Sequence, residues 1–571
     1  MDNSDLTLTG GSGNNGYASI YTDAGGNITA YFSDDSIIDA GSSYAEINAG
    51  KSSGSGNIYI GITSGIRSDE SFGITGGDAT TTNRFGRIFA NNGNIEMSLS
   101  GTLNLTGGTA DNGAAYIATN TGNITLNIQG GTFQGGNATG SDTGIFTRYS
   151  SGTGGNIEID NDEGGTIYLK TGTTNGGKAA IEVISGTGSI TTSSYGSYSL
   201  IAQGDGADAY IKTANGPITM QAKHLTMRAN ESLGDSNAYI ETTGHNININ
   251  LLGSIFAYSG SAANSNVHIE PLVSGNLTLN ANYGFLSAGS SGTDSDAYFR
   301  TTGGSISLLF ATTFVLSSSS NAQAFVESSS SLNLVADNFY MFGTDATNYT
   351  YVKAGGLTIH LLESLYTYGT SHIGNTSGEL NILAGKNVNL LESTSVINGS
   401  SGRLNIVVDN DYPLSPKYGE GYFKLDPSAS ITSTGDLRIY MSQYLLNTIS
   451  GILNGSSYTG LIDVSDSHNF YQVYFPNGSY NSPYSVYYKV FTPWDHELLV
   501  ADMELFEKES RRMDDWVTHL RFYNVFQNDE RYFYIENLQY LSNTEFLEYY
   551  YHNKNSDFIR KNKQRLKKIL Q

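Results

Sequence analysis

The sequence predicts an all-β solenoid. The expected architecture is a three-sided parallel β-helix of about 15 coils over residues 1–445, then a Tyr-rich β or transition segment over 446–490. A small, mainly helical C-terminal domain over 491–571 completes the chain. Three observations predict this: a short phrase that recurs along the chain, apolar residues that alternate with a period of two, and a glycine content that stops abruptly at Gly478.

The phrase is Ala115-Tyr116-Ile117-Ala118-Thr119, followed by Gly122-Asn123-Ile124-Thr125-Leu126. It returns at Ala209-Tyr210-Ile211-Lys212-Thr213 before Ile218, at Ala238-Tyr239-Ile240-Glu241-Thr242 before Ile247, and at Ala297-Tyr298-Phe299-Arg300-Thr301 before Ile306. In these copies seven residues separate the two apolar anchors, as they separate Ile88 from Ile95 and Val183 from Ile190. The second anchor runs through Ile28, Ile58, Ile95, Ile124, Ile157, Ile190, Ile218, Ile247, Leu277, Ile306, Leu332, Leu357, Leu380, Leu404 and Leu437. Its mean interval is roughly 29 residues, tightening between Ile306 and Leu404.

Within a unit, Ala238, Ile240 and Thr242 point one way and Tyr239 and Glu241 the other. After a Gly/Asn corner, Ile247, Ile249 and Leu251 repeat the alternation, and Ile255-Phe256-Ala257 is a third apolar patch. Three strands plus three corners make roughly 25–30 residues per coil, and coils stacked about 4.8 Å apart give a rod of roughly 70 Å. Glycine and asparagine are expected at corners because they tolerate positive φ. One coil cannot bury its apolar residues alone, whereas stacked coils form a continuous column.

Runs such as Gly122-Asn123-Ile124-Thr125-Leu126-Asn127-Ile128 and Gly155-Asn156-Ile157-Glu158-Ile159 resemble the repetitive passenger regions of filamentous-haemagglutinin-like exoproteins and autotransporters. The resemblance covers approximately residues 10–445. It implies a secreted or surface-exposed bacterial structural protein, adhesin-like or a filament component. The implied partners are a host or neighbouring cell-surface protein or glycan, or further copies of the chain.

Composition narrows the function. With 30 Lys plus Arg against 53 Asp plus Glu the net charge is −23, which repels phosphate and disfavours nucleic acid as a partner. No cysteine is present, so disulfides, thiol catalysis and Cys-type zinc sites are excluded. No run of apolar residues is long enough for a transmembrane helix, and the Met1-Asp2-Asn3-Ser4 start lacks the pattern of a signal peptide.

No catalytic constellation or cofactor motif emerges, and the expectation is a protein that is not an enzyme. Gly11-Ser12-Gly13-Asn14-Asn15-Gly16 matches a dinucleotide fingerprint by letter, but no helix pattern follows it. The densest acidic clusters, Asp34-Asp35, Asp160-Asn161-Asp162-Glu163 and Asp409-Asn410-Asp411, read as solvated corners. The rival is a carbohydrate-active β-helix enzyme, which needs two carboxylates at a set separation. Asp111, Asp208, Asp235, Asp294 and Asp296 precede the Tyr strand and could stack into a calcium edge, although no dense ligand repeat accompanies them and no metal site is expected. The candidate surface-binding residues are Tyr116, Tyr210, Tyr239 and Tyr298, which share an outward position. They offer either an aromatic face to a glycan or protein, or a ladder that stacks on itself.

Beyond Gly478 the chain changes character. Residues 1–490 carry 18 basic and 39 acidic side chains, and 491–571 carry 12 and 14 together with both tryptophans, Trp494 and Trp516. Phe475-Pro476-Asn477-Gly478 reads as a hairpin turn. Leu499, Met503, Phe506, Met513, Val517 and Leu520 then form a helical stripe, predicting a cap over the last coil or an anchor.

Overall fold

The computed structural model describes residues 6–489 apart from short loop stretches, the longest being 409–421, 458–470 and 474–483. The expected helical domain, residues 491–571, lies outside the described residues.

The chain is an all-β parallel solenoid. Among the described residues the strands pair in parallel throughout, except Ile452–Leu453 with Ser456–Ser457 and Tyr471–Val473 with Tyr484–Lys489. The second of these pairs flanks the expected hairpin turn, which itself lies outside the described residues. Three ladders of strands run along the axis. The first contains Ala209–Thr213, Ala238–Thr242 and Val267–Pro271. The second contains Ile218–Ala222, Ile247–Leu251 and Leu277–Ala281, and the third Leu225–Arg228, Ser254–Tyr258 and Tyr283–Ser287.

The anchors expected from the sequence fall into one column of the second ladder. Each, from Ile28 to Leu404, is the direct register partner of the next. They meet the inward column of the first ladder (Ile117, Ile145, Ile181, Ile211, Ile240) and that of the third (Leu105, Phe133, Leu169, Leu200, Met227) in one buried core. Full burial of each such side chain contributes about 1.5–3 kcal/mol, a gain that a coil obtains only from its neighbours. One expected anchor is corrected. Ile181, not Val183, pairs with Ile211, while Val183 sits opposite Thr213. The seven-residue spacing to Ile190 was a coincidence of a longer corner.

At the corner between the first and second ladders, positive φ is found as expected at Gly25, Gly50, Gly186, Gly275 and Gly378, but a second cause acts there as well. The asparagines entering the second ladder are absent from the positive-φ residues. Their side chains instead cap the next coil: Asn57 Oδ1 accepts from the Asn94 N–H at 2.9 Å, Asn94 from Asn123 at 2.8 Å and Asn123 from Asn156 at 2.8 Å. The preceding glycines are required by close approach. A Cβ on Gly93, Gly122 or Gly155 would overlap the carbonyl oxygen of Gly56, Gly93 or Gly122, respectively, in the coil before. Positive φ also recurs at another corner, three residues before the column of Ala115, Thr143, Ala209, Ala238, Val267 and Ala324, at Asn112, Gly140, Gly206, Asp235, Asn264 and Asn321.

The three-strand unit is also modified. Ser331–Phe342 and Gly356–Tyr368 are single long strands that serve both the second and the third ladder, so the corner between these ladders is lost. Their mutual register shifts between Ala336 and Asn338, where the Asp337 and Asn338 N–H groups both donate to the Thr312 carbonyl at 2.7 and 3.0 Å. This is where the repeat interval tightens.

Candidate functional site

The four candidate tyrosines occupy one column of the first ladder, which runs through Tyr116, Gly144, Ala180, Tyr210, Tyr239, His268, Tyr298, Phe325 and Tyr351. They point outward as expected, yet the rings do not form an open face. Tyr116 is 5 % and Tyr210 6 % exposed. The rings stack face to face: Tyr210 on Tyr239 at 4.9 Å, Tyr239 on His268 at 5.1 Å, His268 on Tyr298 at 4.9 Å and Tyr298 on Phe325 at 4.8 Å, all within 5° of parallel. Both faces of Tyr239 and Tyr298 are therefore occupied, leaving ring edges for any ligand. His268, Phe325 and Tyr351 are members the sequence reading missed. Their signal was an aromatic between two apolar or small residues in the phrases Val267-His268-Ile269, Ala324-Phe325-Val326 and Thr350-Tyr351-Val352.

A charged column lies two residues further along the same strands. Lys212 Nζ reaches Glu241 at 2.6 Å, the Arg300 guanidinium grips Glu270 at 2.7 and 2.9 Å, and Lys353 pairs with Glu327 at 3.4 Å. Burial alone would raise the Glu241 carboxyl, but hydrogen bonds from His268 and Lys212 prevail and hold it below the usual carboxylate range. Burial, reinforced by neighbouring carboxylates, pushes the hydroxyls of Tyr210, Tyr239, Tyr298 and Tyr351 above the ordinary phenol range. Near the N-terminal end, Arg87 donates to Glu46 at 2.7 and 2.9 Å and to the Tyr116 hydroxyl at 3.0 Å, while lying over the Phe85 ring. These contacts lock the first ladder's outer face.

The expected aspartate edge separates into different positions. Asp208 and Asp296 sit immediately before the strand and act as corner acceptors. Asp208 Oδ1 accepts from the Asn237 N–H at 3.3 Å, Asn266 Oδ1 from the Asp296 N–H at 2.8 Å, and Asp296 Oδ1 from the Gln323 N–H at 2.9 Å. Asp235 is exposed in the positive-φ column and accepts from Asn264 Nδ2 at 2.8 Å. Asp111 is one residue further out, and Asp294 lies outside the described residues, as do residues 12–16 of the glycine-rich loop. Among the described residues no three His, Asp or Glu side chains converge as metal ligands.

The outer face of the second ladder differs in chemistry. From Ile306 to Val408 its strands present two parallel columns. Ser307, Asn333, Thr358, Asn381 and Asn405 form the first, and Leu309, Val335, His360, Leu383 and Val407 the second. The amides bond along the column, Asn405 Nδ2 donating to Asn381 Oδ1 at 2.7 Å. On the third ladder the same two long strands carry aromatic rows, with Tyr340 on Tyr366 and Phe342 on Tyr368 both at 5.3 Å. Between the columns and these rows, Lys386 pairs with Glu363 at 2.7 Å and Asn338 Nδ2 donates to it at 3.1 Å. These two bonds outweigh burial and keep the Glu363 carboxyl below its usual range.

Among the described residues no helix is long and apolar enough to cross a membrane. Compared with models of protein families, with curated proteins and with solved structures, the chain gives no significant match.

Proposed function

We propose that this chain is a non-catalytic structural rod that acts by presenting its outer faces to other surfaces, as an adhesin-like or filament-forming β-solenoid outside a bacterial cell. The observation carrying this reading is the regularity of the outward columns, whose side chains line up in register from rung to rung. The carbohydrate-active alternative needs two carboxylates free to face one substrate, whereas Glu363 is paired with Lys386, and Glu241 and Glu270, neighbours in register, are paired with Lys212 and Arg300.

In this reading the three ladders enclose a three-sided cross-section of about 15 coils. Self-association and contact with a cell-surface protein or glycan, through the rims of the Tyr116, Tyr210, Tyr239 and Tyr298 ladder among other faces, are its modes of action. Fractionation of the source cells tests the reading: the full chain is expected in the medium or protease-accessible on the surface. Confinement to the cytosol would refute it, as would release of reducing ends from a polysaccharide by the purified chain.

A further inference from the structure

We propose that the paired columns on the second ladder, from Ser307 to Val407, are a binding lane for one extended, uncharged polysaccharide chain lying along the rod axis. The inference deepens the preceding reading of a surface-binding rod and rests on it.

Three features of the lane point to this ligand. First, it is neutral: on a chain of net charge −23, the two columns contain no carboxylate, lysine or arginine over five successive rungs. A nucleic acid or acidic polymer needs cations there, and the overall field repels both. Second, the lane is amphipathic across its width. Hydroxyls and amides form one column, in which Asn381 is buried, while half-buried Leu309, Leu383 and Val407 with His360 line the other, in which Val335 is buried. A sugar polymer has the matching division, with hydroxyl edges and apolar C–H faces. Asparagine is depleted in strands, so local propensity does not account for Asn333, Asn381 and Asn405 at outward strand positions. Third, the lane has the period of such a ligand. Rungs repeat about every 4.8 Å, close to the advance of one pyranose unit in an extended chain, so successive sugars fall near successive rungs. Protein partners are less well matched, because their interfaces rely on aromatic and arginine anchors, which the two columns lack.

The experiment is a pull-down of the full chain on amorphous cellulose, an uncharged extended polymer, with polygalacturonate as the acidic control. Retention on cellulose is expected to persist in high salt, because no ion pair is involved. Thr358→Glu places a charge in the polar column, and Leu383→Ser removes an apolar contact without adding charge. Each should weaken retention about tenfold or more, while Thr226→Glu, on the outer face of the third ladder, should leave it unchanged. Circular dichroism and the urea midpoint establish that each variant is folded. Absence of retention on cellulose, equal retention by wild type and both lane variants, or retention on polygalacturonate alone would overturn the lane and leave the surface-rod reading standing. A concentration-dependent dimer abolished by the lane variants would overturn it in favour of a second copy as occupant. Retention accompanied by release of reducing ends would support the lane and sink the non-catalytic reading.

Discussion

Replacing Gly122 by alanine is the sharpest test of how the coils are held together. The added Cβ would overlap the Gly93 carbonyl oxygen and carbon, which are backbone and cannot turn aside. Relief requires neighbouring rungs, normally about 4.8 Å apart, to open by on the order of an ångström. Two hydrogen bonds span that gap, Ile95 N–H to the Asn123 carbonyl at 2.9 Å and Asn123 N–H to Asn94 Oδ1 at 2.8 Å. Overpacking costs about 1–3 kcal/mol, and each weakened bond adds up to about 1 kcal/mol, so the expected loss is roughly 2–4 kcal/mol. Gly244→Ala is the matched control. Its Cβ would touch only Ser274 Oγ, at 3.7 Å, in an ordinary backbone conformation. That change should be neutral or stabilising by about 0.4–1 kcal/mol, through the unfolded chain. Because solenoids can lose cooperativity over their length, urea midpoints should be paired with amide hydrogen exchange in the coils around Ile124. Equal effects from both substitutions, or no acceleration of exchange near Ile95 in Gly122→Ala, would refute the close-approach account of the glycine column.

Other expectations concern the core, the buried acids and metals. Ile249 is fully buried between Met220 and Leu279, so Ile249→Asp should destabilise by several kcal/mol, whereas Asn248→Asp on the half-buried outer side should be nearly silent. Similar melting shifts for the two would contradict the alternation. Burial holds the Asp208 carboxyl above its usual range, so its protonated form favours folding and that contribution is lost as pH rises through the raised value. Asp208→Asn should accordingly raise the urea midpoint at neutral pH, with the gain disappearing in acid. Glu241 has the opposite sign: its contribution is present above the ordinary carboxylate range and lost as pH falls through its lowered value. Glu241→Gln should thus lower the midpoint at neutral pH and matter little in acid, and identical pH profiles for the two variants would contradict both assignments. Chelation with EDTA should leave thermal stability unchanged, since Asp208 and Asp296 are engaged in backbone capping in a different column from Asp235. A large drop restored by Ca²⁺ but not Mg²⁺ would show instead that the edge holds metal.

Much of the architecture was legible because a parallel solenoid repeats one simple instruction. The anchor positions could be followed by eye, and their register partners in the fold are each other. What misled was any inference depending on corner length. Val183 had the right spacing to Ile190, but the interval from Ile181 to Ile190 is two residues longer than that from Ile211 to Ile218 in the next coil, so the spacing marked the wrong side chain. The aspartates before the Tyr strand were likewise grouped by proximity in sequence, although offsets of one and three residues place Asp208 and Asp235 in columns with different roles. The lane from Ser307 to Val407 went unread because outward residues follow no single residue type. Only alignment of the rungs separates a polar column from an apolar one.

The sequence by itself determined the fold class, the inward face of each strand and the succession of coils, because burial selects residue type with a period of two wherever one face is covered. Tertiary structure alone decided which outward side chains meet. Glu270 and Arg300 are 30 residues apart, and Lys353 and Glu327 are 26 apart. Since intervals vary with each corner, sequence separation cannot identify such neighbours. The stacking of Tyr239 on His268, the overlap that forbids a side chain at Gly122 and the neutrality of the lane all arise from bringing coils within about 4.8 Å. At that distance residues remote in the chain become contacts, and their chemistry, rather than their order, sets what the surface can bind.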